Sequence, residues 1–266
     1  MIDDAQLIEW SYSGKSEYDT NVYNRFQEVI LNNFDVEEMF LQGSYANSTG
    51  VFTSSDVDIV VVCSGYYIDS YNRSTDLRRL KYDLYDAIEG SFNFHFELGK
   101  KTIKYQGSPK YSPVDILPCI RYTNRNRDVG IAFCDHSKNA VIVNYPKQHR
   151  DNGTEKNKRT NGSYKKIVRV FKNLRDQLID EGEIGRKTAP SYFLECLLYN
   201  VPDECYKEYV PDGFISVFGW LTSNKSSAIH FRCQNEIHHL FNAPNGWNLR
   251  DYYIFLNAIQ RWVRYA

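Results

Sequence analysis

Two aspartates set two residues apart at the head of an apolar run constrain this chain more than any other feature. The run reads Ser55-Asp56-Val57-Asp58-Ile59-Val60-Val61-Val62, and a short way before it stands Gly43-Ser44-Tyr45-Ala46-Asn47-Ser48-Thr49. Val57 to Cys63 is apolar apart from Asp58, too short for a helix and rich in Val, which makes it a central strand. A strand turns successive side chains to opposite faces. Asp56 and Asp58 therefore share one face while Val57 and Ile59 pack against the other. Two carboxylates side by side at the edge of a buried sheet repel each other and are costly without a cation. Magnesium resolves that cost, because it takes carboxylate, water and phosphate oxygens together. The Gly-Ser turn adds a close backbone approach at Gly43 and donors suited to a phosphate. The combination points to nucleoside-triphosphate chemistry.

The 266 residues, 42% hydrophobic and 24% charged with 21 tyrosines, suit one large domain or two joined ones. A formal net charge of −1 argues against a protein that coats nucleic acid. Charge is unevenly placed, however: Lys147 to Arg175 holds ten Lys/Arg against two acids, Asp151 and Glu155. Such a run is commonly a solvated face, but beside a triphosphate site it reads as a phosphate-binding wall. Met1-Ile2-Asp3-Asp4 lacks the basic and apolar regions of a signal peptide, and no apolar stretch reaches the length of a membrane span. A cytoplasmic protein with no membrane partner is expected. Cys63, Cys119, Cys134, Cys196, Cys205 and Cys233 are scattered without a C-x-x-C pair, as reduced core thiols would be. Cys205 and Cys233 with His230, His238 and His239 match no familiar zinc-ligand spacing.

Along the chain, Val22, Phe26, Val29, Ile30 and Phe34 recur at helical spacing, and Glu38 to Gln42 forms a short strand leading into the Gly-Ser turn. Leu77, Leu80, Leu84, Ala87 and Ile88 predict a helix capped by Ser74 or Thr75 and ended by Gly90. Phe92 to Glu97, Thr102 to Tyr105 and Val114 to Leu117 read as strands, the last enclosed by Pro109 and Pro118. Beyond about residue 145 the pattern turns helical. Ile167, Val168, Val170, Phe171, Leu174 and Leu178 bury one side of a helix whose opposite face carries Lys165, Arg169, Lys172 and Asp176. Thr188-Ala189-Pro190-Ser191 opens another helix, and Phe214 to Trp220 and Tyr252 to Trp262 are aromatic helical segments. The expected fold is α+β: a mixed-sheet lobe over residues 1–145 and a helical lobe over 146–266, with the active site in the cleft between them.

The strand Val114-Asp115-Ile116-Leu117 carries one aspartate between apolar neighbours. Asp115 is either an edge-strand carboxylate bonded to a loop or the third member of a two-metal site for displacement at phosphorus. In the second reading Asp58 bridges both metals and Asp56 holds the metal of the triphosphate. Asp115 then holds the metal at the attacking hydroxyl, or takes its proton. Lys172 reads as a solvated lysine or as a ligand of the β- and γ-phosphates. Ser191 and Tyr192, at a helix N-terminus, read as a cap with a core tyrosine, or as a phosphate contact with a ring stacked on a base. Glu155 to Asn161 reads as a mobile loop, with Thr160 or Asn157 available to read a base edge.

Taken together, these segments resemble the DNA polymerase β-type nucleotidyltransferase superfamily. More narrowly, they resemble the bacterial relatives of cyclic GMP-AMP synthase, the CD-NTases of anti-phage operons. The carrying segments are Gly43-Ser44-Tyr45-Ala46, Ser55-Asp56-Val57-Asp58-Ile59 and Val114-Asp115-Ile116. Asn144-Tyr145-Pro146-Lys147-Gln148-His149, Lys156-Asn157 with Thr160, Val168-Arg169-Val170-Phe171-Lys172-Asn173 and Pro190-Ser191-Tyr192-Phe193-Leu194-Glu195 complete the set. The resemblance implies an enzyme that uses Mg2+, or Mn2+ in its place, to condense two NTPs into a cyclic dinucleotide second messenger with release of pyrophosphate. Asp56, Asp58 and Asp115 would be its catalytic, metal-holding residues. Gln42, Gly43, Ser44, Thr160, Lys172, Ser191 and Tyr192 would bind nucleotide, with Thr160 at the lid that influences base choice. A cyclic trinucleotide synthase, or a transferase acting on RNA or protein, is the alternative. The chain lacks the His/Cys cluster of the animal enzyme's zinc finger, so no double-stranded DNA activator is expected. An operon-encoded regulatory or effector partner would take that place.

Overall fold

The computed structural model describes residues 3–14, 18–51, 56–68, 75–92, 95–108, 111–241 and 247–265. The chain forms two compact units, one of Lys15–Ala46 and Ser54–Pro146, the other of Met1–Gly14, Asn47–Thr53 and Lys147–Ala266. Two short segments from the first fifty or so residues thus group with the helical part. No helix among the described residues is long and apolar enough to cross a membrane.

The first unit is built on a seven-stranded mixed sheet. Helix α2 (Tyr18–Asn33) leads into β1 (Val36–Leu41), the short helix α3 (Gly43–Asn47) follows, and then β2 (Val57–Cys63) and α4 (Thr75–Glu89). The remaining strands are β3 (Phe96–Leu98), β4 (Ile103–Tyr105), β5 (Val114–Thr123), β6 (Val129–Asp135) and β7 (Ala140–Asn144). Their order is β1-β2-β5-β4-β3, with β6 pairing β5 and β7 pairing β6. Among the described strands only β2 and β5 run parallel.

The alternation in β2 divides its residues as expected. Val57, Ile59 and Val61 join Phe26 and Ile30 of α2 and Leu80, Leu84 and Ile88 of α4 in one core. Val60 and Val62 face the other way, with Leu117, Cys119, Ile131 and Phe133. Burying each such side chain contributes about 2 kcal/mol, which pins the register: a slip of one residue would drive Asp58 into the helix-covered core. Helix α4 begins at Thr75 as its first helical residue; Ser74, the other expected cap, and Ser55 lie outside the described residues.

The fifth strand runs further than expected. Pro118 does not end it, because β5 continues to Thr123. Proline cannot donate to a ladder. It falls between Ile116, the last residue opposite β4, and Ile120, the first opposite β6. Strands β6 and β7 then extend the sheet where none was expected.

The second unit is helical: α1 (Asp4–Trp10), α5 (Pro146–Arg159), α6 (Ser163–Asp180), α7 (Ser191–Tyr199), α8 (Val210–Ser223) and α9 (Leu249–Tyr265). The apolar face of α6 is buried as its periodicity indicates, but Arg169, Lys172 and Arg175 are buried as well. Helices α1, α7, α8 and α9 all contact it. A helix enclosed on several sides has little solvated face, so Arg169 and Lys172 do not line one as the sequence suggested. Glu155 to Arg159 is the last turn of α5, not a mobile loop. None of the six cysteines is in a disulfide, and all but Cys205 are buried.

Candidate active site

The carboxylates of the first unit lie at the N-terminal ends of two parallel strands. Asp58, the second residue of β2, is the register partner of Asp115, the second residue of β5. Registered residues on neighbouring strands project to the same face, so the two side chains stand beside each other, half-buried. Asp56 is exposed and immediately precedes β2. Next to them, the amide of Gln42 donates to the Asp58 carbonyl at 2.9 Å. Gly43 follows with φ of +66°, and a Cβ there would lie 2.2 Å from Oδ2 of Asp58. Only glycine gives both that backbone turn and that clearance. Ser44 is half-buried in α3.

A residue that the sequence did not single out completes this group. Lys104 on β4 is the register partner of Asp115 on the side away from Asp58. Its Nζ donates to both Asp115 oxygens, at 3.1 and 2.9 Å. Thr102 Oγ1 donates to Asp115 Oδ2 at 3.4 Å. The hydrogen bond to Asp115 raises the Lys104 ammonium above its ordinary value against the opposing effect of burial, and the charges of Asp115, Asp56 and Asp58 add to it. One ammonium therefore feels all three carboxylates. The donor set, three hard carboxylate oxygen groups beside a glycine that leaves room, fits Mg2+ or Mn2+. Among the described residues no three acid, thiol or imidazole groups converge for a metal.

The candidate residues of the helical unit fare differently. Thr160 is buried in the turn between α5 and α6. Its hydroxyl donates to the Lys156 carbonyl at 2.9 Å and accepts the Tyr164 amide at 3.1 Å. The single hydroxyl proton is thus spent inside the turn, and a buried Thr160 has none to donate to a base edge in this conformation. Asn157 is likewise engaged, its Oδ1 accepting the Lys165 amide at 3.0 Å.

Lys172 is 1% exposed. Its ammonium spends its protons on Glu195 Oε1 at 2.6 Å, Thr49 Oγ1 at 2.9 Å and the Thr49 carbonyl at 3.1 Å. It is neither a solvated lysine nor a phosphate ligand in this arrangement. Glu195 also accepts from Asn47 at 2.7 Å and Thr49 Oγ1 at 2.5 Å, and bonds His149 Nε2 at 2.7 Å. Burial pushes the Glu195 carboxyl up, but Lys172 and His149 outweigh it and hold the group well below the usual carboxylate range. The clue in the sequence was a glutamate inside Phe193-Leu194-Glu195-Cys196-Leu197-Leu198, where an acid among apolar neighbours must find buried partners.

Ser191 is the first residue of α7, half-buried, and its Oγ accepts from Arg175 Nη2 at 3.4 Å. The Tyr192 ring stacks on His149 with centroids 4.5 Å apart and planes 22° apart, and Trp247 lies 5.5 Å from it at a tilt of 36°. The basic run is largely neutralised from within. Arg150, Lys156, Lys158, Arg159, Lys172 and Arg175 each pair with a carboxylate. Arg169 is bound to the carbonyls of Ser11 and Ser48. A continuous phosphate-binding wall along this segment is therefore not what the charges form.

Comparison with known proteins gives this arrangement a lineage. Residues 151–264 match the cGAS/DncV-like nucleotidyltransferase C-terminal helical domain. The chain is 33% identical over 291 residues to cyclic nucleotide synthase CdnE01 of Staphylococcus haemolyticus, with 96% of each chain covered. It is 35% identical over 276 residues to the cyclic UMP-AMP synthase of Rhodothermus marinus, covering 93% of this chain and 92% of that one. Among solved structures, the Elizabethkingia meningoseptica CdnE cyclic dinucleotide synthase with GTP and Apcpp matches with a TM-score of 0.87 and 29% identity, over 99% of each chain. The likeness thus runs through the sheet unit and the helical unit alike, and the chain belongs to the cGAS/DncV-like nucleotidyltransferases, the CD-NTase family.

Proposed function

We propose that this nucleotidyltransferase joins two NTPs into a cyclic dinucleotide second messenger, releasing one pyrophosphate for each phosphodiester bond formed, in bacterial anti-phage signalling. The observation that carries this reading is the register pairing of Asp58 with Asp115 beside a glycine that no other residue can replace. Relatives matching over nearly the whole chain are cyclic dinucleotide synthases, which favours cyclisation over transfer to RNA or protein.

Enzymes of this family depend on a divalent cation. Asp56, Asp58 and Asp115 would hold it, as Mg2+ or Mn2+. When bound, such an ion neutralises charge on the departing pyrophosphate and lowers the pKa of an attacking 3′- or 2′-hydroxyl. Asp115 is the carboxylate assigned to the acceptor hydroxyl and its proton. Gln42, Gly43 and Ser44 present backbone and hydroxyl groups to the triphosphate. In the helical unit, Ser191 is the phosphate contact, and the Tyr192 ring offers a stacking surface worth about 1–3 kcal/mol per base. Thr160 and Lys172 act as supports, because their polar atoms are already committed to the protein. The enzyme works in the bacterial cytoplasm, with an operon-encoded regulatory or effector partner in place of a DNA activator.

The test is incubation with all four NTPs and Mg2+ or Mn2+, followed by phosphatase treatment and mass spectrometry. A phosphatase-resistant product with the mass of two linked, closed nucleotides is expected. A resistant product of three nucleotides, or label appearing only on RNA or protein, would replace this reading with its alternative.

A further inference from the structure

We propose that Lys104 is an internal counter-cation of the carboxylate site, an ammonium that a divalent ion must displace from Asp115 before the carboxylates can close around it. The inference rests on the assignment of Asp56, Asp58 and Asp115 as the metal-holding residues.

Three observations carry it. Asp58, Asp115 and Lys104 lie in one row across three adjacent strands, so their side chains share a face. Lys104 Nζ engages both oxygens of Asp115 rather than one. That leaves the carboxylate no oxygen without a positive neighbour. The pair is also built to open. The Lys104 side chain is 39% exposed and that of Asp115 is 22% exposed, so the released ammonium would be taken up by water at small cost. The buried pair of Lys172 and Glu195 has no such exit, with side chains 2% and 4% exposed. A flexible lysine tip suits this task, as a point charge on a long stem that can swing away without dragging the strand.

The role has a chemical use. Carboxylates gathered without a cation repel one another and distort the strand ends that carry them. An internal ammonium holds Asp115 in place until the ion arrives. It also raises the metal concentration needed to load the site, which ties readiness to the supply of divalent ion. Lys104 is a positioning residue on this account, acting through Asp115.

The experiment is a Mn2+ titration followed by electron paramagnetic resonance, on the nucleotide-free full chain and its variants. Lys104→Met should bind Mn2+ about fivefold more tightly than the parent, the scale of a half-exposed charge pair. Lys104→Arg should bind no more tightly than the parent. Lys104→Gln should follow Lys104→Met, and it preserves a polar tip if the methionine variant folds poorly. Amine acetylation of Lys104, read by mass spectrometry, should increase when Mg2+ saturates the parent protein, because the ammonium is set free. If Asp58→Asn and Asp115→Asn lose Mn2+ while Lys104→Met binds as the parent does or more weakly, the counter-cation role is overturned and the metal site survives. If Mn2+ binding is absent from every form, or is unchanged in Asp58→Asn and Asp115→Asn, the metal-site assignment itself falls and takes the proposal with it.

Discussion

Two clusters of charge in this molecule use the same residue types to opposite ends. At the strand ends of the sheet unit, Asp56, Asp58 and Asp115 share the influence of one half-exposed ammonium. In the helical unit, Glu195 is enclosed by Lys172, His149, Asn47 and Thr49, every one within hydrogen-bond distance. A carboxylate whose partners are all supplied by the protein has nothing left for a ligand. One whose ammonium is half-exposed can exchange it for another cation. Chemistry is expected at the exchangeable cluster and rigidity at the enclosed one.

The contrast can be attacked directly, beginning where the effect is greatest. Asp56→Asn combined with Asp58→Asn should lower the rate of pyrophosphate release by at least about a thousandfold, with the thermal unfolding midpoint nearly unchanged. A large loss of stability in that variant would place the strand aspartates with the structural cluster. Glu195→Ala should lower stability by about 3–5 kcal/mol, because it strands Lys172 and His149 in the interior without their shared anion. Urea unfolding measures this, and an unchanged midpoint would remove the distinction between the two clusters. Thr160→Val should cost about 1 kcal/mol, the usual net value of an intramolecular hydrogen bond, and leave the base composition of the product unaltered. A changed product would return Thr160 to the substrate.

The smallest effect is a pH dependence away from both clusters. Burial, then the charges of Lys81 and Arg78, push His136 down from 6.5 to about 4. Between those two values the unfolded chain takes up a proton at this imidazole that the folded chain refuses. Stability is therefore full above 6.5 and declines as the pH falls towards 4. Unfolding midpoints measured at neutral pH and near the lower value should differ less in His136→Gln than in the parent.

The division of β2 into a core face and a carboxylate face could be read from the chain, because a period of two leaves no freedom once one face is apolar. The pairing of Asp58 with Asp115 could be guessed from two short apolar runs, each carrying an aspartate at its second position, and the register brings them together. The surroundings of Lys172 could not be read. Helical periodicity identifies the most apolar face of α6 but cannot report that α1, α7, α8 and α9 cover much of what remains. Thr160 and the end of α5 were obscured by composition, since a highly charged, polar stretch looks the same in a loop and in a helix whose lysines find carboxylates. Lys104 sits in the three-residue strand Ile103-Lys104-Tyr105, and nothing so short announces its neighbour. Proline at 118 misled for a local reason: its missing amide matters only where a ladder bond is due.

The path of the backbone carries a consequence for how such a protein can change over generations. Asn47 and Thr49, half of the shell around Glu195, come from a seven-residue stretch that interrupts the sheet unit's sequence, Asn47–Thr53. A single crossover in the gene near the codon for Pro146 would join a foreign helical half to this sheet half while importing the wrong companions for that glutamate. Shuffling of the two halves is thereby penalised, and the stretch from Gln42 to Thr49 is expected to travel through descent together with Lys172 and Glu195, as one inherited set.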